Sequence, residues 1–141
     1  MSDIRTFHAR KGRVSAAEQD GLDRLLPIFG VPSNQLDPRV LFSGRSVVFE
    51  IGFGLGDVTV AMAKQNPEIA IIAADVHTPG VGRLLNLIEA DQLDNVRVLH
   101  GDAIEYLREM VPDNSIHEIR AYFPDPWPKA RHHKRRLFRS D

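Results

Sequence analysis

Four short apolar runs, "SVVFEIG", "IAIIAADV", "VRVLHGD" and "IHEIRAYFP", alternate with segments of helical spacing, and that alternation leaves few folds open. The runs are rich in β-branched residues and nearly unbroken, the pattern of strands buried on both faces. Between the second and third, "GVGRLLNLIEADQL" places Val81, Leu84, Leu85 and Ile88 on one helical face. "VTVAMAKQN" and "AIEYLREMV" read as the other two helices, stopped by Pro67 and Pro112. Strand, helix, strand repeated in this way predicts parallel strands joined by right-handed crossovers, an α/β doubly wound parallel sheet. Only four strands are expected from this chain.

Ahead of the first strand, "VSAAEQDGLDRLLPIFG" reads as a helix. Ser15 is its expected N-cap and Glu18 the capping-box partner, with Pro27 and Gly30 ending it. "VPSNQLDPRVLFSGR" reads as loop, punctuated by Pro32, Pro38 and Gly44. Three regions are expected: a basic arm over 1–14, an α/β domain over 15–128, and a basic segment over 129–141.

Charge is divided unevenly. Between Lys129 and Arg139 there are six Lys/Arg and no acid, while residues 1–128 carry 12 bases and 18 acids. A smaller basic cluster lies at Arg5, Arg10, Lys11 and Arg13. A basic patch on an acidic body points to a localised polyanion contact; a solvated tail is the alternative. The chain has no cysteine, which excludes disulfides, thiolate metal sites and a cysteine nucleophile. The N-terminus lacks the apolar core of a secretory signal, and no run reaches the ~18 apolar residues of a membrane span. A cytoplasmic location and no membrane partner are expected.

The first strand runs into "IGFGLGD". Gly52, Gly54 and Gly56 permit a tight turn and let backbone N–H groups approach a ligand. The dinucleotide fingerprint wants a third glycine where Asp57 stands, which weakens a nicotinamide reading. Three acids fall at strand ends on the same edge: Glu50 at the end of strand one, Asp75 closing strand two and Asp102 closing strand three. Asp75 is placed for ribose hydroxyls and Asp102 for an adenine. Acids around a glycine turn suit a cation such as S-adenosylmethionine better than a pyrophosphate. The same acids also suit helix N-caps. After strand four, "FPDPWPK" stiffens Asp125 between Pro124 and Pro126, either as a positioned carboxylate or as a rigid turn packed by Trp127. His132 and His133 are adjacent without a third ligand, so no metal site is expected.

The segments "RTFHARKGRVSAAEQDGLD", "FEIGFGLGD", "AADVHTPGVGRLL", "GDAIEYL" and "FPDPWPKARHHKRR" together resemble the bacterial tRNA (guanine-N7)-methyltransferases of the class-I S-adenosylmethionine-dependent type. The resemblance runs from about Ile4 to Leu137. "GFGLG" is generic to methyltransferases, whereas "VHTPGVG" and the "FPDPWPK" segment with its basic run are much more specific. The resemblance implies a class-I methyltransferase sheet, S-adenosylmethionine as cofactor and tRNA as partner, with a variable-loop guanine as the target. It implies cofactor contacts at Glu50, Asp75, Asp102 and Asp125, with Asp125 also catalytic. It implies RNA contacts at Lys129, Arg131, His132, Lys134, Arg135 and Arg136. The family continues beyond the point where this chain stops at Asp141, so a truncated protein, a split one or a degenerate family member is expected. A second polypeptide or self-association would then complete the sheet. A non-catalytic subunit that binds RNA or cofactor, or a methyltransferase on another substrate, are the competing functions.

Overall fold

The computed structural model describes residues 13–32, 37–109, 111–112 and 115–121. Helix α1 spans Ala16–Phe29 and a single helical turn, α2, spans Pro38–Leu41. Then come β1 (Ser46–Ile51), α3 (Asp57–Gln65), β2 (Ile69–Asp75), α4 (Thr78–Ala90), β3 (Val96–His100), α5 (Ala103–Glu109) and β4 (Glu118–Ala121). The four strands form one parallel sheet in the order β3-β2-β1-β4. The expected doubly wound sheet with its first four strands is therefore present. The direction of winding reverses between β1 and β4, which makes the carboxyl end of β1 a topological switch point.

The sheet is buried on both faces because alternate residues of each strand feed separate cores. Val48, Ile71, Ala73, Val96 and Val98 meet α1, α3 and α4 through Leu25, Ala63, Leu84 and Ile88. Val47, Phe49, Ala70, Ile72, Ala74 and Ile119 meet Phe42, Tyr106 and Leu107 on the other side. This two-sided burial is why the strands read as unbroken apolar runs instead of alternating ones.

Two expectations are corrected. Pro27 does not end α1; the helix runs through it to Phe29, and Gly30 caps it by donating to the Leu26 carbonyl at 2.8 Å. Proline there, in the last turn, removes only one helical hydrogen bond. The segment read as loop contains α2, where Asp37 Oδ1 accepts from the Arg39 N–H at 2.9 Å and Pro38 occupies the first turn. Asp followed by Pro is a cap and first-turn signal in its own right. The Ser15–Glu18 capping box forms as expected, with bonds of 2.9 and 3.1 Å.

Helix α1 docks on α4 at a close crossing. A Cβ built at Gly82 would lie 2.5 Å from the Glu18 carbonyl oxygen, and one at Gly21 would lie 2.9 Å from the Gly82 carbonyl. Asn86 Nδ2 donates to the Ala17 carbonyl at 2.9 Å across this contact. Arg24 pairs with Glu89 as well, but both side chains are about half exposed and such pairs contribute little. Backbone cannot yield as a flexible side chain would. Gly82→Ala should therefore destabilise the fold by about 2 kcal/mol in chemical denaturation. An unchanged midpoint would show that α1 is not seated as described.

Candidate functional site

The carboxyl end of β1 runs into a turn built from left-handed glycines: Gly52, Gly54 and Gly56 have φ of 76°, 64° and 90°. Side-chain-bearing residues rarely adopt these angles, which explains the glycines. The Gly52 N–H donates to the Ala74 carbonyl at 2.8 Å and ties the turn to β2. A Cβ at Gly54 would meet nothing within 4 Å, so the turn's backbone faces open space there. Gly56 then serves as N-cap of α3, and Asp57 fills the first helical position. A carboxylate at that point favours the helix dipole and opposes a phosphate group.

Glu50, one residue before the end of β1, is fully buried. Its Oε1 accepts from the Thr59 hydroxyl at 2.5 Å, and Thr59 on α3 is fully buried too. Its Oε2 is the one buried side-chain oxygen or nitrogen without a hydrogen-bond partner among the described residues. Burial pushes the Glu50 carboxyl above the ordinary carboxylate range. The Thr59 hydrogen bond and the positive charge of Arg120, its register partner on β4, oppose that shift; the negative charge of Asp75 adds to it. An unpaired buried carboxylate oxygen is costly.

Asp75 ends β2 as expected. Its Oδ1 accepts from the His77 N–H at 3.1 Å. His100, its register partner at the end of β3, lies 3.2 Å from the Thr78 hydroxyl through Nε2. Burial lowers the His100 pKa, with Asp75 pulling the other way. Asp102 departs from expectation in part: β3 ends at His100, and Asp102 caps α5, its Oδ1 accepting from the Glu105 N–H at 3.0 Å. The capping alternative is thus realised for Asp102, while Glu50 caps nothing. Asp102 also faces a cleft of about 600 Å³ beside β3, lined by Val31, Pro32, His100, Glu105 and Tyr106 among others. That cleft does not include Glu50 or Asp75.

Asp125, Lys129, Arg131, His132, Lys134, Arg135 and Arg136 lie outside the described residues. Among the described residues no group of three or more Asp, Glu or His side chains is placed to hold a metal ion, and no helix is long and apolar enough to cross a membrane.

Sequence reasoning missed two residues that shape the site. Thr59 is a lone hydroxyl on the buried face of α3, and a polar residue on an apolar face is the available signal. Arg83 is the only basic residue of α4; its guanidinium donates to the Leu55 carbonyl in the glycine turn and lies 3.3 Å from Asp57.

The parallel sheet thus carries a glycine turn at its switch point, with Glu50 on β1 and Asp75 closing the neighbouring β2. Residues 44–141 match the model of the family described as "Putative methyltransferase", and the chain belongs to that family. It is 51% identical over 141 residues to a protein of Streptomyces avermitilis named "tRNA (guanine-N(7)-)-methyltransferase", covering 98% of this chain and 49% of that one. A protein of the same name from Methylobacillus flagellatus is 48% identical, covering 97% of this chain and 59% of its own length. The chain spans about half the length of the first of these curated relatives.

The Glu50 shift has a testable sign. Because the folded state favours its protonated form, its contribution to stability is intact below the unfolded value near 4.5 and is lost as pH rises through the raised folded value. Glu50→Gln carries no charge at any pH. It should gain stability relative to wild type as pH rises from about 4.5 toward neutrality in urea melts. A difference that stays constant with pH would contradict the burial of an ionisable Glu50.

Proposed function

We propose that this chain carries the S-adenosylmethionine-binding part of a methyltransferase that acts on guanine N7 in tRNA. The observation that carries the reading is 51% identity to a protein of that name over 98% of this chain. The site's chemistry supports the cofactor independently. S-adenosylmethionine presents an ammonium and a sulfonium and has no phosphate. The edge offers a buried unpaired carboxylate oxygen at Glu50, a second carboxylate at Asp75, and an open backbone at Gly54. Asp57 at the start of α3 stands where a pyrophosphate would need bare N–H groups.

Glu50 and Asp75 would hold the cofactor's cationic and ribose groups, with Gly52, Gly54 and Gly56 giving it backbone room; Asp102 would reach the adenine from the start of α5. When bound, S-adenosylmethionine supplies a methyl group activated by its sulfonium. Guanine N7 has a lone pair and no proton, so the protein needs no general base. Its work is positioning and electrostatics. Methylation at N7 would leave positive charge on the purine. Asp125, flanked by Pro124 and Pro126 in the sequence, would orient the guanine and stabilise that charge. Lys129, Arg131, His132, Lys134, Arg135 and Arg136 would dock phosphates, which position the RNA without reading its sequence. Each lost phosphate contact should flatten the salt dependence of tRNA binding by about one unit.

The test is transfer of a labelled methyl group to an unmodified tRNA transcript, followed by identification of the nucleoside. The expected product is labelled 7-methylguanosine, lost in Asp125→Ala while S-adenosylmethionine still binds. Label in a different nucleoside would assign another methyltransferase substrate. Cofactor and tRNA binding without transfer would favour a non-catalytic binding subunit.

A further inference from the structure

The base of the glycine turn is anchored by Phe53, buried in the core, and by the Gly52 N–H on the Ala74 carbonyl, but its tip has little of its own to hold it. Gly54 faces open space, and the Leu55 side chain at the tip is 66% exposed, so neither anchors the turn by packing. What holds the tip is one face of α4, which matches it almost residue for residue. A Cβ at Gly80 would lie 3.1 Å from the Gly54 carbonyl oxygen, so glycine at 80 admits that carbonyl against the helix. Three residues on, Arg83 donates to the Leu55 carbonyl. Next to it, Leu84 Cδ1 lies 3.1 Å from where a Cβ on Gly56 would be. Residues 80, 83 and 84 share a helical face, and they meet turn residues 54, 55 and 56 in order.

Arg83 is the polar member of that set. The peptide joining Leu55 to Gly56 has its carbonyl bound by Arg83 and its N–H bound to the Phe53 carbonyl at 3.0 Å. With both ends satisfied, the plane of that peptide is fixed. Asp57, 3.3 Å away, holds the guanidinium from the α3 side. The Arg83 side chain is about one-third exposed, so a methionine of similar length can replace it without opening the core.

We propose that Arg83 is a positioning residue for the glycine turn, gripping the Leu55 carbonyl so that the Gly52–Gly56 backbone is already in its ligand-binding shape before cofactor arrives. This role rests on the turn being the seat of S-adenosylmethionine. Arg83 touches no reacting atom, so its loss should weaken binding and leave chemistry at saturation intact. It also acts on shape and not on the sulfonium. The methylated cofactor and its demethylated thioether product should therefore lose affinity equally.

The test compares wild type, Arg83→Met and Arg83→Lys as full chains, by amide hydrogen exchange without ligand and by calorimetric titration with each cofactor form. In Arg83→Met, exchange at the Gly56 amide should rise while the unfolding midpoint stays at the wild-type value. Both affinities should fall by about tenfold, the order of one charge-assisted hydrogen bond. Arg83→Lys should recover most of that loss. The role is overturned if Arg83→Met binds both forms as wild type does, or if its loss of affinity tracks faster exchange throughout α4 and a lowered midpoint. A wild-type chain that binds neither form would sink the cofactor reading and this role with it. Tight wild-type binding matched by Arg83→Met would sink the role alone.

Discussion

A carboxylate sealed from water, with one oxygen bonded and the other unpaired, is the constraint around which this fold is arranged. Glu50 sits in the central part of the sheet, on the strand flanked by β2 and β4. Burying it costs stability, and the two apolar cores on either face of β1 must offset that cost. Thr59 satisfies one oxygen from α3. Nothing among the described residues satisfies the other. A protein that only needed to fold would gain by placing an apolar residue there, since after Ser46 β1 is otherwise Val, Val, Phe and Ile. An unsatisfied buried carboxylate oxygen is a rare exception that calls for an explanation beyond folding.

The neighbouring elements serve the same edge. Helix α4 buttresses the glycine turn along Gly80, Arg83 and Leu84, and α1 buttresses α4 through the Gly21–Gly82 crossing. The glycines of "PGVG" thus have different duties. Gly80 admits the turn's carbonyl, and Gly82 admits the backbone of α1. On the far edge, Arg97 lies 5.7 Å from the ring centroids of both Phe29 and Phe42, tying the end of α1 and the end of α2 to β3. Packing thus runs continuously from α1 to the turn.

Most of this architecture was legible because burial leaves a strong imprint on sequence. β1 and β2 sit between two cores, so they read as apolar runs, and Val81, Leu84, Leu85 and Ile88 mark the face of α4 that is buried. The short helix α2 was hidden because a single turn has no periodicity to read, and only its Asp37–Pro38 start announces it. Pro27 reads as a stop in the sequence, whereas its position in the final turn costs just one bond. At the site, Glu50, Asp75 and the glycines could be placed from strand ends alone. The cap role of Asp102 and the grip of Arg83 could not, because each depends on where one loop lies against a helix.

The most direct measurement is calorimetric titration of S-adenosylmethionine into wild type and Glu50→Gln at neutral pH, with folding of both checked by circular dichroism. If the unpaired Glu50 oxygen is the group that receives the cationic cofactor, wild type binds and Glu50→Gln loses at least about tenfold in affinity while remaining folded. Equal affinities in the two proteins would contradict the account, and would mean that the buried carboxylate serves something other than this ligand.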